Sequence, residues 1–376
     1  MITSGSLQAR ILTPHGFVEG VLEYDHGRVR DVRGTPMTAA RVRDGNRPIA
    51  LPGFIDPHVH GGGGADVMDG GAAVHTIARL HVQHGTTSML ATTMTAPLGE
   101  IHGALTALGA MMSAPRSGIA RVHGVHLEGP FINPGKLGAQ PNFAGPVDRA
   151  EVHALHQLAP IRLITLAPEV PGMLDAIAWL RAAGFRVQIG HTLGTYEDGV
   201  AALTRGASGF THLFNAMSGM HHRAPGIVGA ALAHARYSEI IPDLLHVHPG
   251  AIQAALRAIP CLYCVTDSTS ATGMPDGEYR LGRHTVTKCL GGVRLADGTL
   301  AGSTLTMDQA LRNLVELGLD LEDAARRVST HAADFLGLHD RGRLAAGAHA
   351  DVVVLDRDLR IAQVFVEGEA IALEDA

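Results

Sequence analysis

Ile49-Ala50-Leu51-Pro52-Gly53-Phe54-Ile55-Asp56-Pro57-His58-Val59-His60-Gly61-Gly62-Gly63-Gly64 joins an apolar run to two histidines and four glycines. The run 49–55 reads as a short buried strand. Histidines separated by one residue at a strand end point the same way, because side chains alternate faces with period two. Two imidazoles converging on one spot can hold a metal, and glycines let backbone and substrate approach closely. Taken alone, His58 and His60 also suit two satisfied polar side chains beside a flexible turn. The residues at later strand ends decide for the metal.

The chain has 376 residues, more than one core usually holds, so a large domain with a smaller module is expected. Its net charge of −6 argues against nucleic acid and polyanionic membrane surfaces as partners. Any anionic ligand must therefore be held by a few local cations. Cys261, Cys264 and Cys289 do not suit a disulfide framework. Cys261-x-x-Cys264 lies in an apolar strand pattern that turns its thiols to opposite faces, which reads as packing. The N-terminus has no charged n-region with a long apolar core, and no stretch of 18 apolar residues occurs. A cytoplasmic protein without a membrane partner is expected.

Beyond the opening motif the chain alternates. A helical pattern through Val74, Ile77, Ala78 and Leu80 precedes a strand at 87–93, and a helix at 101–111 precedes a strand at 119–128. Further strands are expected at 161–167, 185–190, 209–214, 240–247 and 261–266, with helices at 173–183, 196–205 and 252–258 between most of them. Thr306-x-x-Gln309 reads as a capping box opening a helix with Met307, Ala310, Leu311, Leu314 and Val315 on one face. Short strands alternating with helices mean a parallel sheet, and eight such units over about 280 residues suit a closed barrel. The expected class is α/β, a TIM-type (β/α)8 barrel over 51–341. Both ends are different: 1–50 and 342–376 contain short turn-punctuated β pieces, neither able to fold alone. Together they are expected to form one small composite β-sandwich domain beside the barrel.

Active sites in such barrels sit at the C-terminal ends of the strands. There the chain places His58 and His60, Glu128 after Val125-His126-Leu127, and His191 after Val187-Gln188-Ile189-Gly190. His212 follows within Phe210-Thr211-His212-Leu213-Phe214, and Asp267 closes Leu262-Tyr263-Cys264-Val265-Thr266. Each ends an apolar run with no structural need for it. Burying any one unpaired costs several kcal/mol or forces it neutral, roughly. Convergence on a divalent metal satisfies all of them together. His123, His126 and His248 read as surface or packing histidines.

Several longer runs make a family resemblance specific. Pro52-Gly53-Phe54-Ile55-Asp56-Pro57-His58-Val59-His60-Gly61, His126-Leu127-Glu128-Gly129-Pro130-Phe131, Gly190-His191-Thr192, Thr211-His212-Leu213-Phe214-Asn215-Ala216-Met217 and Val265-Thr266-Asp267 are the first. Asp297-Gly298-Thr299-Leu300-Ala301-Gly302-Ser303 and Gly347-Ala348-His349-Ala350-Asp351-Val352-Val353 complete the set. From about residue 20 to 368 the chain resembles the N-acetylglucosamine-6-phosphate deacetylases of the metal-dependent amidohydrolase superfamily. The pair HxH marks only the superfamily, whereas HLEGPF and THLFNAM are more selective.

The resemblance implies deacetylation of an aminosugar phosphate. It assigns Glu128, His191 and His212 to a principal metal and allows His58 and His60 to hold a second ion bridged by the glutamate. Imidazole and carboxylate donors suit Zn, Fe, Mn or Co alike, one or two ions per subunit. Such a metal brings the pKa of bound water down towards about 7, and Asp267 takes the catalytic base and acid roles. The resemblance gives the substrate phosphate to Arg223 and His246, with Asn215 and Ala216 beside the sugar. It lines the sugar and acetyl pocket with Ala139, Leu300, Ala301 and Gly302. It also implies a homodimer in which a neighbouring subunit contributes to the phosphate pocket. Without it, Arg223 reads as an exposed loop cation.

Two departures stand out. Gly138-Ala139-Gln140 replaces the Gly-Ala-His common in relatives, and Ser270-Ala271-Thr272-Gly273 replaces a proline-containing turn. Neither touches an expected metal ligand, and both bear on which sugar epimer is preferred. A deacetylase of N-acetylgalactosamine 6-phosphate or of an N-acyl amino acid stays open, as does a non-catalytic metal-binding scaffold. The last would lack a ligand or Asp267, and nothing is missing.

Overall fold

The computed structural model describes residues 3–114 and 116–374. Its centre is a six-stranded parallel sheet in sequence order: Phe54–Val59, Thr86–Thr93, Arg121–Glu128, Ile161–Leu166, Arg186–Ile189 and Gly209–Phe210. Two further parallel strands, Tyr237–Ile240 and Cys261–Cys264, pair with each other as a separate ladder. Backbone bonds carry the chain across both gaps: Leu213 N–H donates to Glu239 O at 3.0 Å, and Asp267 N–H to His58 O at 3.0 Å. Helices Ala73–Gln83, Leu98–Ser113, Arg149–Leu158, Met173–Ala182, Tyr196–Arg205, Gly226–His234 and Pro249–Ala258 alternate with these strands. Because helices cover it, the sheet is buried along its length: every residue of Phe54–Val59 and of Thr86–Thr93 is buried.

Both chain ends enter a second, seven-stranded sheet. Gly5–Thr13, Gly16–Asp25 and Arg28–Pro36 form an antiparallel meander. Ile49–Pro52 lies parallel to Gly5–Thr13 and antiparallel to Val352–Leu355, which leads to Ile361–Val366 and Glu369–Ala370. The expected two-layer sandwich is thus one continuous sheet. Period-two alternation divides its faces: Ile49, Leu51, Val353 and Leu355 pack into the main core, while Ala50, Val352 and Val354 join a separate cluster with Ala9, Ile11 and Leu22.

The opening run serves both sheets. It breaks at Gly53 into Ile49–Pro52 and Phe54–Val59. Gly53 N–H donates to Asp351 O in the end sheet, while Phe54 N–H donates to Gly85 O beside the parallel sheet. A Cβ on Gly53 would lie 2.1 Å from Thr87 Oγ1, so only glycine lets the two sheets meet this closely.

Other expectations shift. The strand at 240–247 is Tyr237–Ile240 instead. Pro242 cannot donate to a ladder, and Asp243 Oδ1 accepts from Leu245 N–H and His246 N–H, forming a turn. The strand at 209–214 stops at Phe210, because His212 and Phe214 adopt positive φ. Met307–Glu316 starts at Thr306 as expected, but Thr306 makes no side-chain cap and Gln309 bonds Asn313 and Arg312 instead. A three-stranded antiparallel unit, Gly277–Leu281, His284–Cys289 and Gly292–Arg294, was not foreseen and brings Leu281 to the pocket. Cys264 is buried and Cys261 half-buried, in keeping with packing.

Gly53→Ala is expected to destabilise the protein by about 1–3 kcal/mol through overpacking, read as a lowered denaturant midpoint. Thr87→Ala in the same chain removes two of the three nearest atoms and should recover part of the loss. An unchanged midpoint in the single variant would contradict the tight contact.

Candidate metal centre

Six strand-end residues converge. His58 belongs to Phe54–Val59 and His60 follows it; Glu128 closes Arg121–Glu128; His191, His212 and Asp267 follow Arg186–Ile189, Gly209–Phe210 and Cys261–Cys264. The last three leave their strands in the left-handed region, with φ of 47°, 29° and 50°. For non-glycine residues that conformation costs roughly 1–2 kcal/mol each, and it persists where the surroundings over-determine it.

Glu128 sits at the centre. Its Oε1 lies 3.2 Å from His191 Nε2 and 3.0 Å from His212 Nε2, and its Oε2 lies 3.1 Å from His60 Nε2 and 3.5 Å from His58 Nε2. Asp267 Oδ1 is 3.4 Å from both His58 Nε2 and His60 Nε2. All six are buried. These six supply two of the three ligand groups among the described residues, Glu128–His191–His212 and His58–His60–Asp267; the third is His58–His126–Glu239.

This donor set fits divalent cations. The Nε2 atoms of His58 and His60 face each other at 3.2 Å, and those of His191 and His212 at 3.1 Å. Paired imidazole lone pairs directed at shared carboxylates leave a concentration of acceptors that a cation satisfies. Protons play that part when no ion is bound. Burial opposes charge on His60, but the Asp267 and Glu128 carboxylates outweigh it and push the imidazole up to about 9. His58 is held well above its usual value in the same way, with Glu128, Asp267 and Glu239 overcoming burial. Burial works against ionised Glu128 and Asp267, yet the surrounding histidines hold both below the usual carboxylate range.

Residues outside the cluster orient it. His191 Nδ1–H donates to Lys136 O at 2.9 Å, leaving its Nε2 lone pair for the cluster. Gln140, the residue that departs from the common histidine, donates through Nε2 to Glu128 Oε2 at 2.6 Å. Its Oε1 accepts Thr95 N–H at 2.7 Å, which fixes the amide orientation. Glu239 and Asp56 were absent from the expected site. Glu239 Oε2 lies 3.0 Å from His58 Nδ1. Asp56 accepts from Thr266 Oγ1 at 2.6 Å and is pushed up to about 7 by burial. Period two from His60 through His58 reaches Asp56, so that signal was present.

The cluster forms the base of a pocket of about 370 Å³, large enough for one small ligand. Its walls carry Ala139, Asn215, Ala216, His246, Leu300 and Gly302, together with Lys136 and Leu281. Three expected residues lie off the walls. His58 is fully buried behind His60, and Ala301 is buried in a small cluster with Val286 and Val293. Arg223 stands on an exposed loop with its Nη1 2.6 Å from His222 Nε2. His246 Nδ1 pairs with Asp243 Oδ2 at 2.7 Å, and although burial opposes it, Asp243 raises this imidazole above its usual value. The four glycines turn from the pocket: Gly61 packs on the Ser270 backbone and Gly62 on Leu80 and His81. His126 is not a surface residue; its ring stands 4.5 Å from His58 and its Nε2 bonds Thr165 Oγ1.

Residues 49–371 match the amidohydrolase family model. The chain is 38% identical to the N-acetylgalactosamine-6-phosphate deacetylase of Escherichia coli O157:H7, over 96% of this chain and 97% of that protein. It is 39% identical to the N-acetylglucosamine-6-phosphate deacetylase of Lysinibacillus sphaericus, over 86% of each. Among solved structures, N-acetylglucosamine-6-phosphate deacetylase from Thermotoga maritima superposes with TM-score 0.89 at 32% identity, over 99% of both chains. The Mycobacterium smegmatis enzyme, an aspartate-to-alanine mutant in complex with N-acetyl-D-glucosamine-6-phosphate, gives 0.90 at 33% identity, over 98% of this chain and 100% of that one.

Because His60 holds a proton at neutral pH in the metal-free cluster, an arriving ion must displace it. Ion affinity should therefore climb with pH, by about tenfold per unit for each proton displaced from His60 and His58, with the His60 share levelling off above about 9. The same imidazole supports the metal-free fold fully below an unfolded pKa near 6.5 and loses that support as pH rises through about 9. The melting-temperature gap between ion-loaded and chelated protein should accordingly widen from pH 7 to 9. A constant gap and a pH-independent affinity would contradict the assigned protonation.

Proposed function

The chain belongs to the amidohydrolase family, and on that premise we propose that it hydrolyses the N-acetyl group of N-acetylglucosamine 6-phosphate to glucosamine 6-phosphate and acetate. The observation that carries this reading is the convergence of five ligand-type side chains and Asp267 at the base of one pocket. On this reading Glu128, His191 and His212 hold the principal ion, and His58 and His60 a second, with Glu128 shared. Zn, Fe, Mn and Co all suit these donors. A bound ion supplies Lewis acidity towards the acetyl carbonyl and makes water easier to deprotonate.

Asp267 provides the proton chemistry. The neighbouring histidines keep it ionised despite burial, so it can accept a proton from the attacking water. It then returns that proton to the departing sugar nitrogen, one carboxylate acting as base and then acid. Its position is anchored by Asp267 N–H donating to His58 O and by Ser303 N–H donating to Asp267 O at 2.7 Å. Asn215 and Ala216 would meet the sugar phosphate, and Ala139, Leu300 and Gly302 the sugar and acetyl group, with Ala301 packed behind that loop.

His246, drawn towards its cationic form by Asp243, suits the phosphate. Arg223 reads best as a cation delivered to the pocket of a second copy, which makes the working unit a homodimer. The same reading closes the eight parallel strands into a full barrel and gives the chain a cytoplasmic setting; among the described residues, no helix is long and apolar enough to cross a membrane. The galacto epimer is the second reading, favoured by the similarity to the Escherichia coli relative. Acetate release from N-acetylglucosamine 6-phosphate, its galacto epimer and unphosphorylated N-acetylglucosamine tests both readings. Faster turnover of the galacto epimer would replace the first with the second.

Asp267→Asn should keep bound metal and substrate binding while kcat falls at least about 10²-fold, as expected for loss of a general base. Near-normal turnover would move that role to another group. Arg223→Ala should raise KM for the phosphorylated sugar about ten- to a hundredfold, since a charge-assisted pair contributes roughly 1.5–3 kcal/mol, and hardly alter the slow unphosphorylated reaction. Mixing Arg223→Ala with Asp267→Asn protein should restore activity through hybrid dimers. Equal losses for both sugars would show Arg223 serving the fold.

A further inference from the structure

Glu239 is a fully buried carboxylate on strand Tyr237–Ile240 that the proposed chemistry does not use. It lies behind the pocket and touches no lysine or arginine among the described contacts. Its Oε2 accepts two bonds: from His58 Nδ1–H at 3.0 Å and from His212 backbone N–H at 3.1 Å. Its Oε1 has no partner among the described residues. A buried carboxylate so sparsely satisfied is costly unless its charge acts on something near by.

The two bonds point to what that is. An acceptor at Nδ1 holds the His58 ring in the tautomer whose Nε2 carries the lone pair. That Nε2 faces His60 Nε2 at 3.2 Å and Asp267 Oδ1 at 3.4 Å. The second bond pins the backbone of His212, a residue held at φ 29°. Support for the other ring nitrogens is uneven. His191 Nδ1 rests on the Lys136 carbonyl, whereas His60 Nδ1 and His212 Nδ1 are unpartnered among the described residues. Among the described residues, Glu239 is therefore the one charged group standing behind a ligand ring.

We propose that Glu239 is a positioning residue for the ion position formed by His58, His60 and Asp267, setting its affinity through His58 Nδ1, on the reading that this cluster holds divalent ions. Carboxylate support behind a ligating histidine fixes the ring and raises its basicity, and its loss typically costs 10–100-fold in metal affinity. The Glu128–His191–His212 position draws its ring support from Lys136 and shares only the His212 backbone with Glu239, so it should respond far less.

The test measures Zn²⁺ stoichiometry and affinity by equilibrium dialysis and chelator competition, with thermal melts on the same samples. Wild type should show a strong and a weaker class. Glu239→Leu should weaken the weaker class about 10–100-fold and leave the strong class within about threefold. Glu239→Gln keeps an acceptor for His58 Nδ1–H without the charge, so it should fall between the two and remain folded even where the leucine variant does not. His58→Ala should reproduce the selective loss. Parallel weakening of both classes with a lowered melting temperature would show a structural role and overturn the proposal, as would an unchanged weaker class in Glu239→Gln and Glu239→Leu. A single strong class in wild type would overturn it while leaving the metal reading intact. No Zn²⁺ bound to wild type would overturn the metal reading itself.

Discussion

Glu128 is a carboxylate buried among four imidazoles, and the rest of the structure is arranged to make that tolerable. Alone in an apolar interior it would cost several kcal/mol or give up its charge, roughly. Here each oxygen meets its own pair of histidines, His191 and His212 at Oε1, His60 and His58 at Oε2. Those partners come from strands far apart in sequence, so only a parallel sheet that gathers its C-terminal ends can assemble them. The charge balance and the topology are thus one requirement. Left-handed conformations at His191, His212 and Asp267 are local strains that this convergence sustains.

The end sheet answers a different need. Phe54–Val59 must carry His58 and His60 while lying beside Thr86–Thr93, and its upstream extension has to leave the parallel sheet at once. Gly53 allows this, because Thr87 occupies the space any side chain would need. Ile49–Pro52 then pairs between the N-terminal meander and the C-terminal strand Val352–Leu355. Buried charges lock the return: Arg341 pairs with Asp351 at 2.5 Å and also meets Glu367, which Arg121 of the parallel sheet holds at 2.9 Å. The motif that binds the cluster is therefore also the splice between the two sheets.

Much of this was legible in the residues. The alternation of short apolar runs with helical patterns placed most parallel strands, and each metal-type residue closed such a run. Legibility failed where the backbone leaves regular geometry. Assigning a strand to 240–247 overlooked that Pro242 and the Asp243 turn end it, and so left Glu239 outside the strand that buries it. Had Tyr237–Ile240 been recognised, a glutamate inside a buried strand would have drawn the same inference as Glu128. The antiparallel unit from Gly277 to Arg294 escaped because its half-exposed strands lack a continuous apolar run. No local pattern could show Gln140 reaching Glu128, since that contact depends on a loop folding back across the strand ends.

Gln140 shows how a departure from the common pattern alters the centre without dismantling it. Thr95 N–H occupies its Oε1, so the amide can present only N–H to Glu128 Oε2. A carboxylate has about four acceptor positions, and this one spends one of them on a neutral donor. The oxygen on the His58 and His60 side is thereby oriented with an acceptor position left for an ion. An imidazole in that place would change its donor role as it titrated, whereas an amide does not ionise. The Gln140 contact to Glu128 is thus the same whatever the pH, and the pH response of ion binding falls to the histidines and carboxylates of the cluster themselves.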